Sequence, residues 1–327
     1  MKTRKVPYFK LLTILLIMLP ALALAGIIGM QMSYDEIPKC ARNELSKLAG
    51  DCPAWLVFQG IPNAGTNSVI CLGRVGSPFT VNLQTGRYPR WSPDGERIAF
   101  FFSTNVCVMS AWGDELTVLA STRDPKPRAL MFHPNGREVW YVDEDRLHAV
   151  NIDTRQNRTM TIANLRARSL DISADGRRMM AGVFDHEIYA VDVTGEGIPG
   201  NSRRVDRGCS ACIMPSGGSY TDLNNRHTGF DFCRWDDDAR YECYKHPNGG
   251  PVDNEAWSNV DRWLVFQTHV PLAPDAWVYD YERKHAIQIT YAGDVHRPDL
   301  FVESHPTRFP WVAWWLRRLQ HHPHANG

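Results

Sequence analysis

The sequence predicts an all-β chain folded as a six-bladed β-propeller, and three observations carry that expectation. The first is a hairpin unit, Arg87–Phe102, in which Ser92-Pro93-Asp94-Gly95 turns the chain between an aromatic-ended run and the apolar run Arg97–Phe101. Pro presets φ for such a turn, Gly tolerates positive φ, and the run beyond has strand length and strand composition. The second is recurrence, since Arg128–Val142, Arg168–Val183, Cys209–Leu223 and Asp253–Thr268 follow the same plan. The third is spacing. The turn anchors Pro93, Pro134, Ala174, Pro215 and Asn259 are separated by 41, 40, 41 and 44 residues. That is the period of a four-stranded propeller blade. A lone hairpin is marginal in water, so the repeat needs its copies.

The run from Pro89 to Phe100, P-R-W-S-P-D-G-E-R-I-A-F, resembles the TolB-type β-propeller repeat, a WD40-like unit. The resemblance covers roughly residues 52–302, with the motif complete once and degenerate elsewhere. It implies a six-bladed propeller and a cell-envelope setting. It does not imply a chemistry, because propellers host unrelated ones. The TolB propeller follows a small α/β domain, for which residues 31–52 leave no room.

In chain order, Lys2, Arg4 and Lys5 precede an apolar run over residues 11–30. A basic stretch followed by an apolar one is an export signal. Ala23-Leu24-Ala25 before Gly26 fits a cleavage site, while the full run is long enough to span a bilayer as an uncleaved anchor. The anchor is the reading adopted, with residues 31–52 as a linker. The propeller is then expected over 53–302 and a tail over 303–327.

Two degenerate copies complete the ring. Trp55-Leu56-Val57-Phe58 repeats Trp263-Leu264-Val265-Phe266, and His296–Leu300 repeats the first half of the hairpin unit and stops. The economical arrangement pairs 295–302 beside Trp55–Phe58, closing the ring with the two ends of the chain and leaving no long free edge. Within blades, third strands are expected at Val106–Ser110 and Leu147–Ile152, and fourth strands at Thr117–Leu119 and Met160–Ile162. Asn151 and Asp192 precede the turns into fourth strands, where their side chains can satisfy turn amides.

The tail carries Trp311, Trp314 and Trp315 beside Arg317 and Arg318, read as a short helix capping one face rather than a membrane-interface segment. The histidines at 321, 322 and 324 are read as a disordered terminus. Asn157-Arg158-Thr159 matches a glycosylation sequon.

The 36 basic residues equal the 36 acidic ones and form no stripe, which removes nucleic acid as a partner. No G-x-S-x-G elbow, H-E-x-x-H helix or phosphate loop is present. The 12 histidines are scattered. Cys209, Cys212, Cys233 and Cys243 are spaced superficially like zinc ligands, but export makes disulfides the preferred reading, with no metal and no cofactor expected. Cys233 and Cys243 lie five residues to either side of Asp238, with Trp235 and Tyr241 three to either side. A symmetric hairpin would oppose the two cysteines within disulfide range. A one-residue bulge would instead turn the sulfurs to opposite faces. Asp236-Asp237-Asp238 is read as the solvated hairpin tip.

Arg90 and Asp171 on inner strands and His227 in the loop after Asn224 are the candidate ligand-binding residues. The function expected is an envelope binding or scaffolding module, tethered through residues 11–30, that meets a protein or glycan ligand. The alternatives are a polysaccharide lyase or hydrolase acting at the channel around His227, and a purely structural partner.

Overall fold

The computed structural model describes residues 54–60, 68–76, 80–160, 167–194, 197–224, 226–247, 249–268, 274–291 and 293–303. The leader, the linker and the tail lie outside the described residues. Twenty-four strands form six four-stranded antiparallel sheets among the described residues. Five sheets are built from consecutive strands, with inner strands Arg87–Trp91, Leu130–Phe132, Ala167–Ile172, Ala211–Ile213 and Val252–Trp257 in blades two to six. In blade one, three strands from the start of the described chain are joined by the last strand, His296–Val302. It pairs antiparallel with Ala54–Gly60, in the register Ala54 to Val302 and Leu56 to Leu300. The expected ring closure is present.

The apolar runs of the second strands follow from this stacking. In Arg97–Phe102, Ile98 and Phe100 pack into a cluster with Val57 and Ile70 of blade one. Ala99 and Phe101, on the opposite face, join a cluster with Val139 and Tyr141 of blade three. Strand side chains alternate between faces, so a sheet covered on both faces reads as continuously apolar. Six such clusters occupy the six blade-to-blade seams, and each joins residues of two neighbouring blades.

The repeated turn is held by its own side chains. Ser92 Oγ donates to Asp94 Oδ1 at 2.5 Å, and the amides of Glu96 and Arg97 donate to Asp94 Oδ1 and Ser92 Oγ at 3.0 and 2.9 Å. Ser173 and Asp175 repeat the pattern in blade four at 2.6, 3.0 and 3.1 Å. Gly95 takes φ of 71° here, and a Cβ at that position would overlap the ring of Phe301 on the closing strand. Asn151 Oδ1 accepts the amides of Asp153 and Thr154, as expected of a residue before a turn.

Two local expectations are corrected. The fourth strand of blade three begins at Asn157 rather than at Met160, with Asn157 paired to Val150 and its Nδ2 donating to Tyr141 Oη at 2.7 Å, while residues 161 and 162 of the expected strand lie outside the described residues. The Cys233–Cys243 disulfide does not form. Asp231 opposes Cys243, and after a bulge between Phe232 and Cys233, Cys233 opposes Arg240. Cys233 is buried and Cys243 exposed, and these two are free, as are Cys209 and Cys212. The cause is Trp235. It turns inward, only 4% exposed, its amide donating to Gly218 O at 3.1 Å. Arg178 and Arg203 lie over its ring at 5.4 and 4.9 Å. The hairpin therefore turns around an inward Trp235 instead of a centre at Asp238, which pairs with Arg203 at 3.1 Å.

Candidate functional site: the central channel

Inner strands from all six blades surround the propeller axis, so the residues at one repeat position form a ring. Three residues before the turn anchor stand Arg90, Met131, Asp171, Cys212 and Ala256, and Asp299 holds the corresponding place on the closing strand. Two cavities follow the axis. The wider, about 200 Å³, is bounded by the turn anchors Pro93, Pro134, Ala174, Pro215 and Asn259. The anchors that reveal the repeat in sequence thus form the rim of the mouth.

Arg90, Asp171 and Asp299 line this wider cavity, with the half-buried Trp91 and Phe301 supplying ring surface. Asp171 Oδ2 accepts the Ile213 amide of the next blade at 2.9 Å, and Asp299 Oδ2 accepts the Trp91 amide of its next blade at 2.8 Å. Both carboxylates thus peg one inner strand to its neighbour. Burial pushes the Asp171 carboxyl up to about 6, against the attraction of Arg90, and burial likewise raises Asp299. Trp257 Nε1 is buried without a hydrogen-bond partner. A mouth of this kind can present ring faces, one guanidinium and two carboxyls to a ligand.

The narrower cavity, about 30 Å³, begins below Arg90 and is lined by the starts of the inner strands. Arg90, Arg128, Arg168 and Arg297 line it together with Ser169, Ser210 and Glu255. Tyr88, Asn254 and Arg297, one or two residues after the strand start in three blades, adopt φ of 58°, 51° and 48°. Backbone of this kind is uncommon outside glycine and clusters where function demands it.

His227 does not join Arg90 and Asp171. It sits in the loop before Gly229–Arg234, with Nε2 at 3.1 Å from Cys209 Sγ, and His186 Nδ1 is 3.2 Å from the same sulfur. Burial first, then the nearby Asp253 carboxylate, raises the Cys209 thiol above its ordinary value, so it is held protonated at neutral pH. Among the described residues no group of three or more His, Cys, Asp or Glu is arranged to hold a metal ion.

Asp299, Arg128, Arg168, Arg297 and Glu255 were not picked out from sequence. A signal existed for three of them. Arg87, Arg128 and Arg168 each stand six residues before a turn anchor, and Asp299 follows a Pro as Arg90 does. For Glu255 no signal existed, because only the bulge between Asp253 and Ala256 brings it to the axis.

No family model matches the sequence, and no curated protein does. Solved structures do. TolB from Acinetobacter baumannii aligns at a TM-score of 0.59 with 15% identity, over 78% of this chain and 67% of that one. A chain of the nidogen/laminin complex aligns at 0.60 with 9% identity, over 76% of this chain and 98% of that one. Hydrazine synthase of Kuenenia stuttgartiensis aligns at 0.47 with 13% identity; this chain spans 64% of it, and the match carries no weight for function. At these identities the likeness concerns the fold alone, which is that of a TolB-like β-propeller.

Proposed function

We propose that this TolB-like propeller is a binding module of the cell envelope, tethered through residues 11–30, and that its ligand seats in the wider mouth of the channel. The observation that carries the reading is the composition of that mouth. Trp91 and Phe301 offer ring surface beside Arg90, Asp171 and Asp299, and the two carboxylates peg their strands to the neighbouring blades. Concave sites with aromatic walls and a few convergent polar groups are where ligands bind. The propeller supplies such a site without supplying a reaction. The setting rests on the basic start and apolar run of residues 2–30.

The ligand would be an envelope protein or a glycan that places an apolar face on the rings and a polar edge on Arg90. Capture from solubilised envelope by the full chain, compared with the Arg90→Ala and Phe301→Ala variants, tests this. Loss of the same captured species in both variants, with thermal stability retained, supports the mouth as the site; equal capture by all three overturns it. Fractionation with N-terminal sequencing tests the tether, and recovery of soluble protein beginning at Gly26 would replace an anchor with a cleaved signal.

The lyase or hydrolase alternative at His227 has one geometric point in its favour, the meeting of His186 and His227 on Cys209. The raised thiol opposes it, since a nucleophilic cysteine works as the thiolate.

A further inference from the structure

The narrower cavity is a chamber of donors. Arg90, Arg128, Arg168 and Arg297 line it, and among the described residues none of the four makes an ion pair with a carboxylate. Aromatic rings accompany three of them instead. Arg168 and Arg128 lie 4.6 and 5.4 Å from the centroid of the same ring, Phe184, and Arg297 lies 4.1 Å from that of Tyr88. Two guanidinium groups on one ring repel each other, and an anion between them would relieve the repulsion.

The unpartnered polar atoms of the lining point the same way. Arg168 Nε, Ser169 Oγ and Glu255 Oε1 are buried with no hydrogen-bond partner. Glu255 is 4% exposed, and its Oε2 already accepts the Ser210 hydroxyl at 2.6 Å. Burial pushes this carboxyl up to about 8, so near neutral pH it carries a proton. Oε2 accepts from Ser210, and a proton placed on the unpartnered Oε1 makes a third donor beside the arginine and the serine. Buried donors left unpaired are costly, and what completes this set is an acceptor. The chamber holds about 30 Å³. A water-sized group needs roughly 10–15 Å³ on the same measure, so two oxygens fit and a bulkier tetrahedral oxyanion does not.

We propose that the narrower chamber binds a carboxylate group, held by the guanidinium groups of Arg128 and Arg168, the Ser169 hydroxyl and the Glu255 acid. The site lies below the wider mouth and is independent of what that mouth recognises. Every contact from the protein is a donation, and two of them are charge-assisted, the stronger class.

Acetate is the probe. The full-length protein is titrated with sodium acetate, sodium phosphate and sodium chloride at matched ionic strength and pH 7, with thermal shift and calorimetry as readouts. The result expected is saturable acetate binding exceeding that of phosphate, and no comparable effect of chloride. Arg168→Met should raise the acetate Kd at least tenfold, whereas Glu255→Gln, which keeps a donor in place of the acid, should hold it within about threefold, since a charge-assisted contact outweighs a neutral one. The salt comparison on the unaltered protein decides the matter should a variant fail to fold. Acetate indistinguishable from chloride, phosphate bound more tightly than acetate, or an Arg168→Met Kd equal to that of the unaltered protein each overturns the assignment.

Discussion

Asp299 ties the final strand to the second blade through Trp91. Its Oδ2 accepts the Trp91 amide at 2.8 Å, while its own carbonyl accepts the Trp91 indole N–H at 3.2 Å. The two residues are 208 positions apart in sequence, so the contact exists only in the closed ring. On the other side of the closing strand, Asn259 clasps Val302 with one bond in each direction, at 2.9 and 2.8 Å. The strand is thus fastened to blade six and blade two as well as to its own sheet.

Asp299→Ala should therefore destabilise the whole domain. It removes the acceptor of the Trp91 amide, a loss of about 1–3 kcal/mol, whereas Asp299→Asn keeps an acceptor and should lose less. Urea unfolding of the two variants checks the order. Removal of everything from Val295 should abolish the single cooperative transition, while removal from Phe309 should leave it close to that of the intact chain.

Gly95→Ala tests the same closure from the turn side. The residue holds φ of 71°, and the added methyl would meet Phe301, whose ring already packs on Trp91 at 5.8 Å. Overpacking of this kind costs about 1–3 kcal/mol. Gly136→Ala, at φ of 67° with open space around it, carries the backbone strain alone. A larger loss at Gly95 than at Gly136 in thermal melts is the expected outcome.

Stability should fall as pH rises across the neutral range. Burial raises the Glu255 and Asp222 carboxyls to about 8, from unfolded values near 4.5 and 3.8. Asp206, Asp231 and Glu255 press Asp222 in the same direction, while Ser210 and Arg90 partly offset the effect on Glu255. The folded chain then holds protons that the unfolded chain has released. Stability from these groups is complete below the unfolded values, declines with rising pH and levels off above about 8. Each group contributes a slope of up to ~1.4 kcal/mol per pH unit. Urea titrations from pH 5 to pH 9 should show the decline, and Glu255→Gln or Asp222→Asn should each flatten it.

Thiol labelling should separate the cysteines by position. Cys243 is exposed and should react in the native state, followed by the half-buried Cys209. Burial raises the Cys71 and Cys107 thiols to about 11 and that of Cys233 to about 12, so these should react only on unfolding. Mass spectrometry after pulsed alkylation reads the order. A Cys233–Cys243 link in non-reducing peptide maps would contradict the register described above.

Much of the architecture was written in the order of residues. The spacing of Pro93, Pro134, Ala174, Pro215 and Asn259 determined the blades, and the degenerate copy at His296 determined where the ring closes. These are local turn chemistry and period-two burial repeated along the chain, so they survive in one dimension. Arg90 and Asp171 could be placed on inner strands for the same reason. What only the tertiary structure decided depends on which residues meet across blades. Trp235 turned into the core beneath Arg178 and Arg203, shifting the hairpin and separating Cys233 from Cys243. A bulge turned Glu255 onto the axis, and Arg128, Arg168 and Arg297 gathered around it from three other blades. Neither event is encoded in a residue's neighbours along the chain, because a single packing contact or one extra residue in a ladder moves a side chain from one face of a strand to the other.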